Sequence, residues 1–481
     1  MKPWAGARQA INPQWTNQPP VKTITWYHTG AALDRQRILS HFAHEYFPAR
    51  HSFSGGFQEK PLPEPELPAD LSADEWREAL RACKGMVLRQ EVYELDVDDI
   101  AALIPKQTPV RIYSAATHNC RIQRLQRRGV NRHAGFLVTE SEAVSYQYEL
   151  ALPRGAAALT PDPRIAHTLN LRHDEYGNPQ QSGAIGYPRL GNTLPPGLPA
   201  DAQHDNLIRA VQNELHIAYS ETRYTEDVVL PTPAPGSTWA VRHHRLRLPC
   251  EVKTYEISGL TRPPPGSYYE IAELRRHALC EDSLYPPPVP VGQRIPLTRL
   301  EYHEQPQAAG PHRRIVEHAR TLFFADDLNS HRDFGQHGPL ALPYENYKLA
   351  LTKNLLDRVL ADSDPLSTRL STAYAALNAQ ANGYPVSGYY KGDQLFPRDT
   401  TTSTPLNEQY WVASGRAGFA SDAALHFYLP EEYTDPFGNK TTLQYDPRDL
   451  FIQSSKDALG NTAGIWIDPI TLKRCSPNPC N

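Results

Sequence analysis

The sequence predicts a mostly β chain, an antiparallel sheet wound from short hairpins with a few short helices. Three observations predict this. First, a turn motif repeats near the end: Asp435-Pro436-Phe437-Gly438-Asn439 returns 22 residues later as Asp457-Ala458-Leu459-Gly460-Asn461, and Tyr445-Asp446 returns at the same spacing as Ile467-Asp468. Two independent marks in one register indicate a repeat. Second, several segments are rich in Val, Ile, Thr, Tyr and Phe, the residues of pleated, half-buried strands. Third, proline makes up 45 of 481 residues, roughly twice average usage. That favours loops and edge strands.

The chemistry of the repeat supports hairpins. In Asp-x-x-Gly-Asn the aspartate accepts hydrogen bonds from backbone N–H groups two residues on, and glycine supplies positive φ. This suits a short loop with a bulge. Thr441-Thr442-Leu443-Gln444-Tyr445 reads as a strand, Asp446-Pro447-Arg448-Asp449 as a polar break, and Leu450-Phe451-Ile452-Gln453 as the next strand. Asp435, Gly438, Asn439, Tyr445 and Asp446 in one unit, and Asp457, Gly460, Asn461, Ile467 and Asp468 in the next, are the candidate structural residues. Residues 430–481 are predicted as successive antiparallel hairpins, with Tyr445 and Ile467 equivalent and both glycines at positive φ. Arrays that depend on their neighbours for burial read as scaffold before they read as enzyme.

The remaining elements follow in chain order. Residues 1–60 form an N-terminal β segment, with Val21 to Tyr27 alternating as a strand, that continues an upstream sheet. Lys60 to Pro68 carries four prolines and reads as a stiff linker. Residues 70–260 form a β-rich middle region. Ser72-Ala73-Asp74-Glu75 is a capping box opening a helix whose Trp76, Ala79, Leu80 and Cys83 share a face. Strands are predicted at 89–95, 135–138, 144–150 and 249–257. Asp174-Glu175-Tyr176-Gly177-Asn178 has the terminal turn form without a partner 22 residues away. Residues 261–420 are a Pro-rich and helical brace region with strands. Ser267 to Glu270 caps a short helix through Ile271, Leu274 and Ala278, and helical spacing recurs at 344–361 and 365–381. Residues 421–481 are the repeats, apparently truncated.

Composition narrows the function classes. The net charge is −4, with 40% hydrophobic and 21% charged residues. This argues against a disordered chain, a nucleic-acid coat or a membrane-surface binder. No apolar run reaches the 18 residues that mark a membrane-spanning helix. The N-terminus lacks the apolar core of a signal peptide, so synthesis in a reducing cytoplasm is expected. Cys83, Cys120, Cys250, Cys280, Cys475 and Cys480 are sparse, and free thiols are expected.

Rival motifs fail on spacing. His41-Phe42-Ala43-His44-Glu45 matches neither order of the zinc-protease helix. A calcium loop from Asp96 would need Gly at 101 and Glu at 107, where Ala101 and Gln107 stand. Asp326-Asp327 reads as a turn cap. Arg121, Arg124, Arg127, Arg128, Arg132 and His133 form a basic run without interleaved aromatics, so it reads as a solvated strand face or one paired with acidic loops. No catalytic, cofactor-binding or metal-binding residue is predicted.

An ordered series of strings carries a family resemblance. It comprises Ser72 to Leu80 with Glu91 to Leu95, Leu171 to Asn178 with Ile185-Gly186-Tyr187, Glu251 to Gly259, and Ala341 to Ala350. Together these resemble the mid-to-C-terminal region of the B component of bacterial insecticidal toxin complexes (TcB type). The terminal units are similar to the Rhs (YD) repeats that this component carries next. The resemblance implies a wound β-sheet shell of Rhs/YD-like hairpins around a toxic effector. It implies as partners the remaining B-component segments, the C component carrying the effector and, indirectly, the pore-forming A component. No nucleic acid, no direct membrane insertion and no cofactor are implied. Members also carry an SpvB-like domain and a β-propeller, and the C component brings an aspartyl autoprotease core and a variable toxic end. The chain therefore resembles one internal piece, expected to be inert, aggregation-prone or weakly oligomeric alone and to be secreted within a complex.

Three function classes follow: a non-catalytic shell segment of a toxin-delivery complex, a hydrolase or lyase on a β-rich scaffold, and a carbohydrate-binding YD-repeat protein. The missing nucleophile and metal motifs favour the first. Elemental analysis of purified chain is expected to find no stoichiometric zinc. Zinc lost on His44→Ala would overturn this.

Overall fold

The computed structural model describes residues 20–31, 40–65, 67–96, 107–155, 158–191, 202–229, 244–261, 263–264, 267–277, 285, 290–306, 310–360, 368–381, 383–397, 399, 405–464, 466–467 and 474–475. Among them the chain is mostly antiparallel β-sheet with short helices. The strands are β1 (Val21–Tyr27), β2 (Val87–Leu95), β3 (Pro109–Gln126), β4 (Gly135–Ala151), β5 (Arg164–His173), β6 (Pro179–Tyr187), β7 (His216–Tyr224), β8 (Val228–Val229), β9 (His244–Arg245), β10 (Pro249–Ser258), β11 (Thr298–Leu300) and β12 (His312–Phe323). They continue as β13 (Pro343–Thr352), β14 (Gln380–Ala381), β15 (Tyr384–Pro385), β16 (Tyr389–Lys391), β17 (Gln409–Ala413), β18 (Arg416–Gly418), β19 (Glu432–Thr434), β20 (Lys440–Tyr445), β21 (Ile452–Lys456), β22 (Thr462–Gly464), β23 (Trp466–Ile467) and β24 (Arg474–Cys475). The helices are α1 (Phe47–Arg50), α2 (Ala73–Ala82), α3 (Ala202–Gln212), α4 (Ile271–His277), α5 (Lys353–Leu360), α6 (Arg369–Asn378) and α7 (Gly392–Leu395).

The chain divides into two units. One comprises Met1–Tyr219, Ile257–Leu279 and Pro288–Ile295, and the other Ser220–Glu256, Cys280–Pro287 and Pro296–Asn481.

In the first unit β1 to β6 pair in chain order as an antiparallel meander. The segments predicted at 135–138 and 144–150 are one strand, β4, because β3 pairs with it from Arg111 to Gln126 and bridges the polar residues between them. Period-two alternation turns Val144, Tyr146 and Tyr148 inward, where they pack with Phe47, Phe57, Ile112 and Ile165. Edge-on ring contacts join Phe47 and Phe57 to Tyr148, at 5.4 and 5.9 Å, a favoured aromatic geometry.

Charge is carried on the same inward side. The Arg89 guanidinium donates to both Glu59 oxygens at 2.6 and 2.9 Å, and its Nε donates to Glu91 at 2.7 Å. Glu91 also accepts from the Phe47 backbone N–H at 2.7 Å, which ties α1 to β2. The stretch read as a stiff linker lies on this sheet instead. The Lys60 N–H donates to the Tyr146 hydroxyl at 2.8 Å, and the Asn119 amide donates to the Pro63 carbonyl at 2.8 Å. Proline-fixed backbone still exposes carbonyls, and here the sheet uses one.

Helix α2 begins as its sequence dictates. Ser72 Oγ accepts from the Glu75 N–H at 3.3 Å, and Glu75 Oε2 accepts from the Ser72 N–H at 3.0 Å. Its apolar face buries Ala79, Leu80 and Cys83.

In the second unit β10, β12, β13, β17 and β16 lie side by side, and β11 pairs parallel to β12. Leu322, Tyr347, Phe396, Trp411 and Ala413 form its core. Here one expectation is overturned. Helical spacing at 344–361 predicted one helix, but Pro343–Thr352 is strand β13 and only Lys353–Leu360 is helical. β13 is hydrogen-bonded on both sides, to β12 and β17, and tertiary pairing overrides local spacing. The pattern at 365–381 yields a helix from Arg369 to Asn378, followed by β14. β18 to β22 form a separate five-stranded antiparallel meander.

Arg89→Met leaves Glu59 inside the first unit without its cation and leaves Glu91 with Arg50 alone, at 3.2 Å. Breaking a buried pair from one side typically costs about 3–5 kcal/mol. Urea denaturation is expected to show a loss of this size.

Candidate functional site

The predicted turn residues build one repeated geometry. Asp435 Oδ1 accepts from the N–H groups of Phe437 and Asn439 at 2.9 and 2.8 Å, and Oδ2 accepts from the Asn439 amide at 2.9 Å. Asp457 does the same with Leu459 and Asn461, at 3.0, 2.8 and 2.8 Å. Asp174 repeats it with Tyr176 and Asn178, at 2.9, 2.9 and 3.0 Å. Each loop is closed by a hydrogen bond from the Asp N–H to the Asn carbonyl. Gly177, Gly438 and Gly460 stand at φ of +87°, +86° and +91°, the region that only glycine enters freely.

Charge reinforces these loops. Burial pushes the Asp435 carboxyl up, but the Asn439 side chain and the backbone donors outweigh it and hold it below its ordinary value. The Asn461 side chain does most to lower Asp457.

The two glycines differ in surroundings. A Cβ at Gly438 would meet the Tyr384 ring at 3.1 Å, whereas one at Gly460 would meet nothing within 4 Å.

Tyr445 and Asp446 serve the opposite end of the β20–β21 hairpin. Tyr445 closes β20, and its hydroxyl donates to the Pro430 carbonyl at 2.9 Å. Asp446 Oδ1 accepts from the N–H groups of Leu450 and Phe451 at 2.7 and 2.8 Å, capping the β20–β21 loop. Ile467 lies in β23, paired with Arg474 of β24. Asp468 lies outside the described residues. In β18 to β22 only Thr434 is buried, while Tyr433 and Ile452 in these strands, and Leu450 and Phe451 in the loop between β20 and β21, remain exposed. The terminal meander therefore has no apolar core of its own.

Two buried polar networks were not singled out from the sequence. In the first unit Glu142 accepts from His167 Nε2 at 2.8 Å and lies 3.4 Å from the Lys60 ammonium, which also pairs with Glu270 at 2.6 Å. Burial keeps the His167 imidazole pKa low. Tyr187 accepts from the Tyr269 N–H at 2.9 Å, so its own proton turns to His167 Nδ1 at 3.0 Å. This assigns the neutral Nε2–H tautomer.

In the second unit Glu251 accepts from His318 Nε2 at 2.6 Å and from Arg320 Nε at 2.9 Å. Arg320 also lies 2.7 Å from Asp399. Its guanidinium stacks over Phe334, Phe396 and Trp411, at 4.4 to 5.4 Å from their ring centres. Burial lowers the His318 pKa to about 4, so at neutral pH its contact with Glu251 is a hydrogen bond to a neutral ring. Burial pushes the Glu251 carboxyl up, but the His318 hydrogen bond and the Arg320 charge hold it well below the usual range. A signal existed in the sequence: period two places Glu251 and Lys253 on the same face as Tyr255 and Ile257.

The rival motifs resolve into local contacts. Glu45 accepts from the Trp26 indole at 2.8 Å, His44 Nε2 lies 3.7 Å from Glu45, and His41 packs edge-on against Phe42. Among the described residues no three His, Cys, Asp or Glu side chains converge as a metal site. The basic run clasps α2 and the loop before it: Arg124 and Arg127 bind Asp70 at 2.7 and 2.6 Å, Arg128 binds Asp74, and His133 binds Glu78. Asp327 caps a turn through the Asn329 and Ser330 N–H groups, and Asp326 pairs with Arg332. Asp96 pairs with Arg154 at 2.6 Å, and Asp98, Asp99 and Ala101 lie outside the described residues. Cys83, Cys120 and Cys250 are free thiols. No helix among the described residues is long and apolar enough to cross a membrane.

Residues 78–230 match the family model described as "Insecticide toxin TcdB middle/C-terminal region". No curated protein matches the chain. Its fold is similar to the crystal structure of TcdB2-TccC3-Cdc42, with a TM-score of 0.57 and 21% identity over 95% of this chain and 18% of that one. It is similar to the crystal structure of TcdB2-TccC3, with a TM-score of 0.56 and 20% identity over 97% and 19%. It is also similar to a mutant Tc holotoxin pore of Photorhabdus luminescens, with a TM-score of 0.55 and 20% identity over 95% and 18%. The chain spans about a fifth of the length of these solved chains.

Gly438→Ala and Gly460→Ala each force a left-handed non-glycine residue, at roughly 1–2 kcal/mol. Gly438→Ala is expected to be the more damaging, because its Cβ also meets Tyr384. Hydrogen exchange should show greater loss of protection in β19 and β20 for Gly438→Ala than in β21 and β22 for Gly460→Ala.

Proposed function

We propose that this chain, whose residues 78–230 match the model of the TcdB middle/C-terminal region, is a wall segment of a toxin-delivery complex that helps enclose a toxic effector and performs no chemistry itself. The observation that carries this reading is the terminal meander. Its loops are rigidly specified, yet its strands leave apolar side chains exposed. A hairpin array of this kind gains burial by stacking on further hairpins.

On this reading residues 421–481 begin the repeat region, and the turn residues Asp435, Gly438, Asn439, Asp457, Gly460 and Asn461 set hairpin register. Tyr445, Asp446, Ile467 and Asp468 mark the other end of each unit. The partners are the remaining B-component segments, the C component with its effector and, through the assembly, the A component. The chain is made in the bacterial cytoplasm and leaves the cell as part of the complex. The likeness in fold to TcdB2-TccC3 supports this reading. So does the burial of the His167 and His318 networks, which leaves both imidazoles away from solvent.

Co-expression with the remaining B-component segments and a C component tests it. The chain is expected to co-elute with them and to contribute to protease protection of the C component's variable end. Assembly and protection that are the same without this chain would sink the proposal. The purified chain alone is expected to be inert towards cells.

A further inference from the structure

We infer that the second unit holds a binding site for one small oxyanion, a carboxylate or phosphate group, anchored by Lys253. A cavity of about 70 Å³ lies beside β10, β11, β12 and the first turn of α5. It is lined by Lys253, Arg299, Arg313 and Lys353 against Glu301 and Glu408. Two of these cations are engaged locally: Lys353 pairs with Asp357, and Arg299 lies 4.0 Å from Glu301. Arg313 stacks over Tyr255 at 5.7 Å.

Lys253 is different. It is only 6% exposed. Its nearest carboxylate oxygen is Glu251 Oε1 at 3.9 Å, beyond hydrogen-bond reach. That oxygen already accepts from His318 and Arg320. Among the described residues the ammonium has no hydrogen-bond acceptor, although it carries three donors and faces the cavity. The ammonium is not sealed from solvent, so in the free chain its donors are left to the water that fills the cavity. An oxyanion would supply the acceptors and meet an excess of cations on the walls. The space exceeds what one water needs, which on the same measure is about 10–15 Å³. Glu251 balances Lys253 in charge at longer range, so the site binds by directional hydrogen bonds more than by net charge.

This inference is independent of the wall reading, because its test reads anion binding by the chain alone. The full chain is titrated with inorganic phosphate and, separately, with acetate, against sodium chloride at equal ionic strength, and binding is read as melting temperature and by calorimetry. A saturable rise in melting temperature over chloride is expected, retained in Lys253→Arg and weakened at least tenfold in Lys253→Met. A rise with both anions indicates a general carboxylate and phosphate site, and a rise with phosphate alone a phosphate site. No rise in the wild-type chain, or an equal rise in Lys253→Met, overturns the inference and leaves a water-filled cavity. If Lys253→Met does not fold, Lys253→Gln takes its place, and the wild-type titration is decisive alone.

Discussion

Both units depend on the pairing of charges on the inward faces of their sheets. Sheet faces normally turn apolar residues inward, but here Arg89, Glu91, Glu142, His167, Glu251 and Arg320 point there as well. A buried charge without a partner is costly, so every one of these groups reaches another. Apart from Arg89 and Glu91 on one strand, the partners are far apart in sequence: Arg50 and Glu91 are separated by 41 residues, Glu251 and Arg320 by 69, and Lys60 and Glu270 by 210. A strand slipped by one residue would turn its charges to the opposite face and strand their partners. Buried ion pairs add little stability over apolar replacements. We read these as devices that select one register.

Much of the architecture was legible in local chemistry. Val21 to Tyr27 alternates and is a strand over those residues. Ser72 and Glu75 announce a helix start, and both capping hydrogen bonds form. Asp-x-x-Gly-Asn dictates a loop whose hydrogen bonds are internal, so the same geometry appears at three places regardless of what surrounds it. Local rules work where the energy is local.

They fail where the deciding contacts are remote. The helical spacing at 344–352 is real, yet β12 and β17 flank that segment and claim its backbone. The proline-rich stretch after Lys60 looked like a spacer because its docking partners, Tyr146 and Asn119, come 56 residues or more later. The basic run read as a solvated strand face or one paired with acidic loops, and its partners, Asp70 in the loop before α2 and Asp74 and Glu78 within that helix, come about 50 residues earlier. Glu251, Lys253 and His318 carry no motif spacing at all, and only the pleat of two separate strands assembles them.

The terminal meander has two unlike rims. Along one, the loops at 435–439 and 457–461 are sealed five-residue units with a mandatory glycine and a fixed hydrogen-bond pattern. Along the other, the loop from Asp446 to Phe451 is longer and capped by a different scheme, with Asp449 rather than glycine at positive φ. Glycine is thus demanded on one rim, whereas on the other an aspartate-capped loop turns without it. Evolution can decorate such a fabric along one selvedge without disturbing the weave.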